Sequence, residues 1–162
     1  MRSKILRFVF AILVVGGTPS AATAQEKVSR SDKFRLWNDC AEVWLLVEGL
    51  REKADEIGLT KDAIEISARS RLRGARIYRK DASHSYYLYV NVNVVGRAFS
   101  VNVEYGKRFY DAESGIFGRA VTWDTGSTGT YSSSNYILGS VGRHVDKFID
   151  EYLRVNAEAC EK

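Results

Sequence analysis

Between Tyr86 and Tyr105 apolar and polar residues alternate so strictly that one turn decides both flanking strands. With Gly96-Arg97 as a two-residue type II′ turn, residues whose numbers sum to 193 face each other. Val94 then meets Phe99, Val92 meets Val101, Val90 meets Val103 and Leu88 meets Tyr105. On the other face Asn93 meets Ser100, Asn91 meets Asn102 and Tyr89 meets Glu104. A slip of one residue would destroy this sorting, so the segment reads as an antiparallel hairpin with one buried face.

The elements around it follow from period and punctuation. Val43-Trp44-Leu45-Leu46-Val47 is an unbroken apolar run and predicts a buried strand. Arg51 to Gly58 is short and charged, either irregular or a helical turn. Thr60 is placed to cap a helix whose apolar face is Ile64, Ala68, Leu72 and Ala75. Leu59 and Ile64 suit a hydrophobic staple, and Gly74 suits the left-handed residue that ends the helix. Ala75 to Arg79 reads as a short extended piece. After the hairpin, Lys107–Asp111 and Gly118–Asp124 flank a turn at Ala112-Glu113-Ser114-Gly115. The Gly, Ser and Thr of Gly126 to Ser134 predict a flexible loop. A long helix from Asn135 to Ala159 closes the chain, with Ile137, Val141, Val145, Phe148 and Tyr152 as its stripe and Leu138, Ile149 and Leu153 widening it. Gly139 and Gly142 inside it suggest a close approach to the sheet or a frayed first turn. This order predicts an α+β fold, a two-layer sandwich of a mainly antiparallel sheet with two helices packed on one face.

The first residues are read as a secretory signal peptide spanning 1–24. Arg2, Lys4 and Arg7 precede an apolar run, and Ala22-Thr23-Ala24 supplies the small residues of a cleavage site. The run is well short of the roughly 20 apolar residues that span a bilayer, and no cysteine follows the site to take a lipid. Residues 25–33 are a polar leader and 34–162 one domain. The formal charge of +4 loses Arg2, Lys4 and Arg7 with the signal, which leaves cations and anions near balance. Net charge therefore gives no argument for nucleic-acid binding. Cys40 and Cys160, in a chain bound for an oxidising compartment, read as one disulfide. Closing so long a loop is worth on the order of 4–5 kcal/mol in the chain-entropy picture. The absence of an Asn-x-Ser/Thr sequon leans toward a bacterial periplasm.

In the run from Arg71-Leu72-Arg73 through Tyr89-Val90-Asn91-Val92 to Phe148-Ile149-Asp150-Glu151-Tyr152-Leu153, the chain resembles small exported proteobacterial proteins of unknown function. Its element order also resembles the small α/β modules of periplasmic accessory proteins such as the TolB amino-terminal domain. The resemblance is one of pattern over most of the mature chain. It implies an exported α/β module and carries over no catalytic residue.

Two surfaces are candidates for binding. Arg69, Arg73 and Arg76 share one helical face, within a stretch that also holds Arg71, Arg79 and Lys80 and no acid. Such a stripe suits an acidic partner, and it also suits a solvated helix end whose dipole favours cations. Arg71 falls inside the apolar arc and calls for a carboxylate, Asp146 or Glu104. The polar face of the hairpin presents Tyr87, Tyr89, Asn91, Asn93 and Asn102. Tyrosine beside asparagine gives rigid contact area with adaptable hydrogen bonds, as in paratopes and in sugar or peptide recognition. It is equally an ordinary solvent face.

No catalytic residue, metal site or cofactor is assigned. His84 falls in a loop and His144 beside the helix stripe, and neither joins a recognisable motif. Gly126-Ser127-Thr128-Gly129-Thr130 precedes a helix but lacks the lysine of a P-loop. The sequence thus favours an exported, non-catalytic binding or accessory module of the bacterial envelope, periplasmic or secreted. Its partner would be a protein or envelope component, with no nucleic acid and no transmembrane segment in the mature chain. The alternatives are a small secreted enzyme using scattered carboxylates or His144, and a secreted inhibitor or effector.

Overall fold

The computed structural model describes residues 27–50 and 52–161, so the expected signal peptide lies outside the described residues. Four strands, β1 (Trp44–Val47), β2 (Tyr86–Val95), β3 (Ala98–Asp111) and β4 (Ile116–Thr130), form one sheet in the order β1-β2-β3-β4. β1 runs parallel to β2, and the other pairs are antiparallel. The helices are α1 (Arg30–Leu36), α2 (Glu52–Asp55), α3 (Lys61–Gly74) and α4 (Ser134–Cys160). α3 and α4 cover one face, giving the α+β two-layer arrangement.

The β2–β3 register is the expected one throughout, Val94 opposite Phe99 down to Leu88 opposite Tyr105. Gly96 takes the positive φ of 57° that the turn demands. Leu88, Val90, Val92, Val94, Val101, Val103 and Tyr105 all point under the helices and are buried. They meet Ile64, Ala68 and Leu72 of α3 and the whole expected stripe of α4. Tyr105, Trp123, Phe148 and Tyr152 form an aromatic cluster at one end. Thr60 caps α3 by accepting from the Ala63 amide, 3.1 Å away. Cys40 and Cys160 form the expected disulfide, with Cα atoms 5.1 Å apart.

Five local expectations are corrected. α3 does not end on a left-handed Gly74; Arg76 takes that conformation (φ 60°). The amide of Ile77 donates to Leu72 O and that of Arg76 to Arg73 O, which is a Schellman closure with buried Ile77 and Leu72 as its apolar pair. The Gly126–Ser134 loop is instead strand as far as Thr130. Its inward residues Thr125 and Ser127 hydrogen-bond to α4, and a Cβ at Gly126 would come 2.7 Å from Val101 O. The run Val43–Val47 is not a buried strand but lies at the sheet edge: Val43 and Val47 turn inward, while Leu46 is 36 % exposed. Gly142 approaches α3 rather than the sheet, because a Cβ there would run into the Arg71 guanidinium. Finally, the segment expected as a loose leader runs into α1, whose start Ser29 and Asp32 close with a reciprocal capping box.

Candidate functional site

With both long helices on one face, the other face of the sheet is left open. Its composition follows from register. Trp44, Leu46 and Glu48 lie beside Tyr87, Tyr89 and Asn91, because β1 pairs in parallel with β2. Asn102 and Glu104 stand opposite Asn91 and Tyr89 on β3. At Tyr105/Gly106 the β3–β4 register shifts: Trp123 pairs with Tyr105, but Val121 pairs with Gly106. The bulge at Thr122 reverses the phase of β4, so Trp123 points into the core while Val121 and Arg119 point to the open face.

The open face has two parts. At one end Tyr89, Asn91 and Asn93 are tied into a ladder. Tyr89 and Asn91 both donate to the Glu48 carboxylate, and Asn93 Nδ2 donates to Asn91 Oδ1 at 2.5 Å. Asn102 Nδ2 donates to Glu104 Oε1 at 2.6 Å. Burial, and then the Glu48 carboxylate, push the Tyr89 hydroxyl up to about 12. These amides are engaged with each other, so a ligand there must exchange internal hydrogen bonds for its own.

The other end is more open. Trp44, Leu46, Tyr87, Tyr89, Glu104 and Arg119 ring a hollow of about 260 Å³. Tyr87 lies across β3 over Gly106, where any Cβ would collide with its ring. The Arg119 guanidinium sits 5.9 Å from the Tyr87 ring centroid, and the His84 ring lies tilted against Trp44 with centroids 4.2 Å apart. Beyond Arg119, the exposed end of the β3–β4 hairpin carries Tyr110 and Phe117, whose rings lie 5.0 Å apart, and Arg108 sits 4.2 Å over Phe117. A larger hollow of about 420 Å³ lies away from this face, between Lys27, Trp37, Arg154 and Glu158, and its walls mix both signs of charge.

The sequence-derived candidates fare differently. Tyr87, Tyr89, Asn91, Asn93 and Asn102 do share one uncovered face. Of the arginine stripe, Arg69 and Arg73 stay four residues apart on α3, but Arg76 does not join them. Arg69 pairs with Glu65 at 3.0 Å, Arg73 lies over the Tyr78 ring, and Arg76 has left the helix. Arg71 reaches Asp146, with Nε 3.0 Å from Oδ1, but at the helix boundary and 36 % exposed rather than inside the core. His144 lies between α4 and β4, Nε2 2.9 Å from Ser127 Oγ and Nδ1 3.2 Å from Thr125 Oγ1. Ser127 Oγ also meets Ser140 Oγ at 3.0 Å. Burial first, then Arg143 and Lys147, lower the His144 pKa and favour its neutral form. The sequence places Trp44 in a buried strand and His84 in a loop outside any motif, and it gives Glu48, Arg108 and Arg119 no place in a site. The one available signal was the apolar run at 43–47, too apolar for a strand with a solvated face.

Among the described residues no group of three or more His, Cys, Asp or Glu is placed to hold a metal ion. No described helix is long and apolar enough to cross a membrane. The sequence matches no family model and no curated protein. Among solved structures the chain is similar to a PelC dodecamer protein from Paraburkholderia phytofirmans, at 17% identity over 67% of this chain and 87% of that one, with a TM-score of 0.42. It is also similar to a "putative lipoprotein" from Caulobacter crescentus, at 14% identity over 76% and 95% of the two chains, TM-score 0.32. A minor lipoprotein from Acinetobacter baumannii follows, at 12% identity over 73% and 85%, TM-score 0.20.

Proposed function

We propose that this chain is an exported accessory module of the bacterial envelope that binds its partner on the open face of the sheet, centred on Trp44, Tyr87 and Arg119. The observation that carries this is the hollow there: aromatic rings and Leu46 left without a covering helix, with a guanidinium and a carboxylate at the rim. Rings supply rigid contact area and the rim supplies orientation, a combination suited to a glycan or peptide. The disulfide and the sequence-derived signal peptide support an exported setting.

Capture of envelope fractions by immobilised protein at low and high salt tests the reading. Contact through buried rings resists salt, whereas contact through the α3 arginines weakens as screening sets in over about 10 Å. Trp44→Ala and Tyr87→Ala should lose the ligand at both salt concentrations, and Arg69→Glu/Arg73→Glu should keep it. Loss only in the α3 variant would contradict the reading.

A second, enzymatic reading has one observation in its favour, the contact between Ser127 and His144. If Ser127 is a nucleophile, an organophosphonate probe should label the wild type and not Ser127→Ala. No labelling leaves the cluster as a polar bridge between α4 and β4.

A further inference from the structure

Next to the aromatic hollow, and sharing Arg119 with it, lies a second cavity of about 360 Å³. Its walls are Ser83, His84, Ser85, Arg108, Phe117, Gly118 and Arg119, with no carboxylate among them. Arg108 and Arg119 are direct cross-strand partners in the β3–β4 register. Like charges directly opposite each other in an antiparallel pair repel and destabilise it. Of the other described arginines, Arg69, Arg71, Arg79 and Arg154 are matched with acids, while Arg73 lies over the Tyr78 ring. Arg108 and Arg119 have ring contacts instead, with Phe117 and Tyr87, and no ion pair among the described residues.

The cavity is built as well as charged. The Arg108 amide donates to Ser85 O at 2.9 Å and pins the 83–85 turn against β3. The Ser83 and Ser85 hydroxyls lie 2.9 Å apart, so one donates to the other and the acceptor keeps a free O–H. His84 lies against Trp44 with its ring tilted 40°, which joins this cavity to the aromatic hollow. Two guanidinium groups, a pair of serine hydroxyls and an imidazole therefore line one cavity whose walls carry no carboxylate.

We infer that this cavity binds a phosphomonoester group of the envelope ligand. Two facing cations are balanced by one dianion, whereas a carboxylate would leave one of them uncompensated. Guanidinium forks match the several oxygens of a phosphate. The group that carries the phosphate rests against Phe117 or on the Trp44/Tyr87 rings, so the inference rests on the open-face reading and names the chemistry of its ligand. A phosphorylated sugar and the headgroup of phosphatidic acid offer the same phosphomonoester dianion.

The test is titration of the full mature chain with inorganic phosphate, against chloride at matched ionic strength so that screening is equal in both arms. Phosphate should shift the backbone amides of Ser85, Arg108, Gly118 and Arg119 and raise the melting temperature beyond the chloride control. Arg108→Gln/Arg119→Gln should fold, since it removes a repulsion, and should bind phosphate at least tenfold more weakly. Arg119→Gln alone should fall between. Glucose 6-phosphate binding more tightly than phosphate identifies a sugar as the carrier. Selective binding to phosphatidic acid vesicles over phosphatidylcholine vesicles identifies a lipid. Phosphate shifts that are absent, that equal those of chloride, or that survive in the double variant overturn the inference. If Trp44→Ala then still loses the envelope ligand, the open-face reading stands without it. Phosphate binding here, with ligand capture intact in Trp44→Ala and Tyr87→Ala, would instead sink the open-face reading.

Discussion

Lys107 occupies β3 with its ammonium surrounded by main-chain oxygen. Nζ donates to Phe34 O at 2.7 Å and Trp37 O at 2.8 Å, and lies 3.5 Å from Lys33 O. Lys33 O already accepts from the Trp37 amide, but Phe34 O and Trp37 O have no helical partner at the C-terminal end of α1, so a lysine from the sheet finishes the helix. Burial, with no carboxylate alongside, pulls its pKa down to about 8. Between that value and the ordinary lysine value near 10.5, the unfolded chain holds more protons than the folded one. Stability therefore rises with pH across this window, with the carbonyls, which favour the charged form, limiting the rise. Above about pH 10 the trend reverses, because burial raises the hydroxyl pKa of Tyr89, Tyr105 and Tyr152 and the folded state resists their ionisation. Urea melts from pH 7.5 to 9.5 should show wild-type stability climbing and Lys107→Met staying flat. At pH 7 the variant should be about 1–3 kcal/mol less stable, because it strands the α1 carbonyls. A wild type as flat as the variant would show that Lys107 keeps an ordinary pKa.

At the scale of elements, the β2–β3 hairpin fixes which face is core. Val92 is 6 % exposed beneath the helices, while Asn91 looks out at Glu48. Val92→Asp buries an unpaired carboxylate and should unfold the domain, whereas Asn91→Ser should cost about 1 kcal/mol or less. Thermal melts compare them directly, and equal losses would mean the faces are exchanged. This hairpin was legible because its inward residues are apolar at every second position. β4 was not, since beyond Trp123 its inward residues are Thr125 and Ser127, which meet His144 and Ser140 of α4. Pairing continues there while the hydrophobic period disappears. The candidate site was half legible for a related reason. Tyr87, Tyr89 and Asn91 follow from one turn, but Trp44 joins them only through a parallel crossover pairing. Arg119 reaches the open face only because the Thr122 bulge changes the phase of its strand. Neither the crossover partner nor the bulge has a local signature in the chain.

Over the whole molecule, the first described helix and the last are held together at one end of the sandwich. Asn156 accepts from the Asn38 amide and donates to Leu36 O, and the Tyr152 hydroxyl meets both Asn38 Oδ1 and Ala41 O. Asp39 and Cys40 both carry positive φ in this turn, a conformation costly for residues other than glycine. The Cys40–Cys160 bond closes over it across 120 residues. Native, unreduced protein should show no alkylatable thiol by intact mass. Cys40→Ala/Cys160→Ala should lose stability by less than the roughly 4–5 kcal/mol of the chain-entropy limit, because the Asn38–Asn156 network already holds the turn. Two alkylated thiols would refute the bridge, and an unfolded double variant would show that the network cannot hold alone.

This network lies behind the end of the sheet that carries the Trp44–Tyr87–Arg119 hollow, since Lys107, paired with Tyr86, reaches Trp37 O from the inner face, and the outer face is left uncovered. Amide chemical-shift mapping of the isotope-labelled mature chain, on addition of solubilised envelope components, tests the proposed role most directly. Shifts concentrated at Trp44, Leu46, Tyr87, Tyr89, Glu104 and Arg119 are expected. Shifts confined to Arg69 and Arg73 on α3, or none at any envelope fraction, would contradict it.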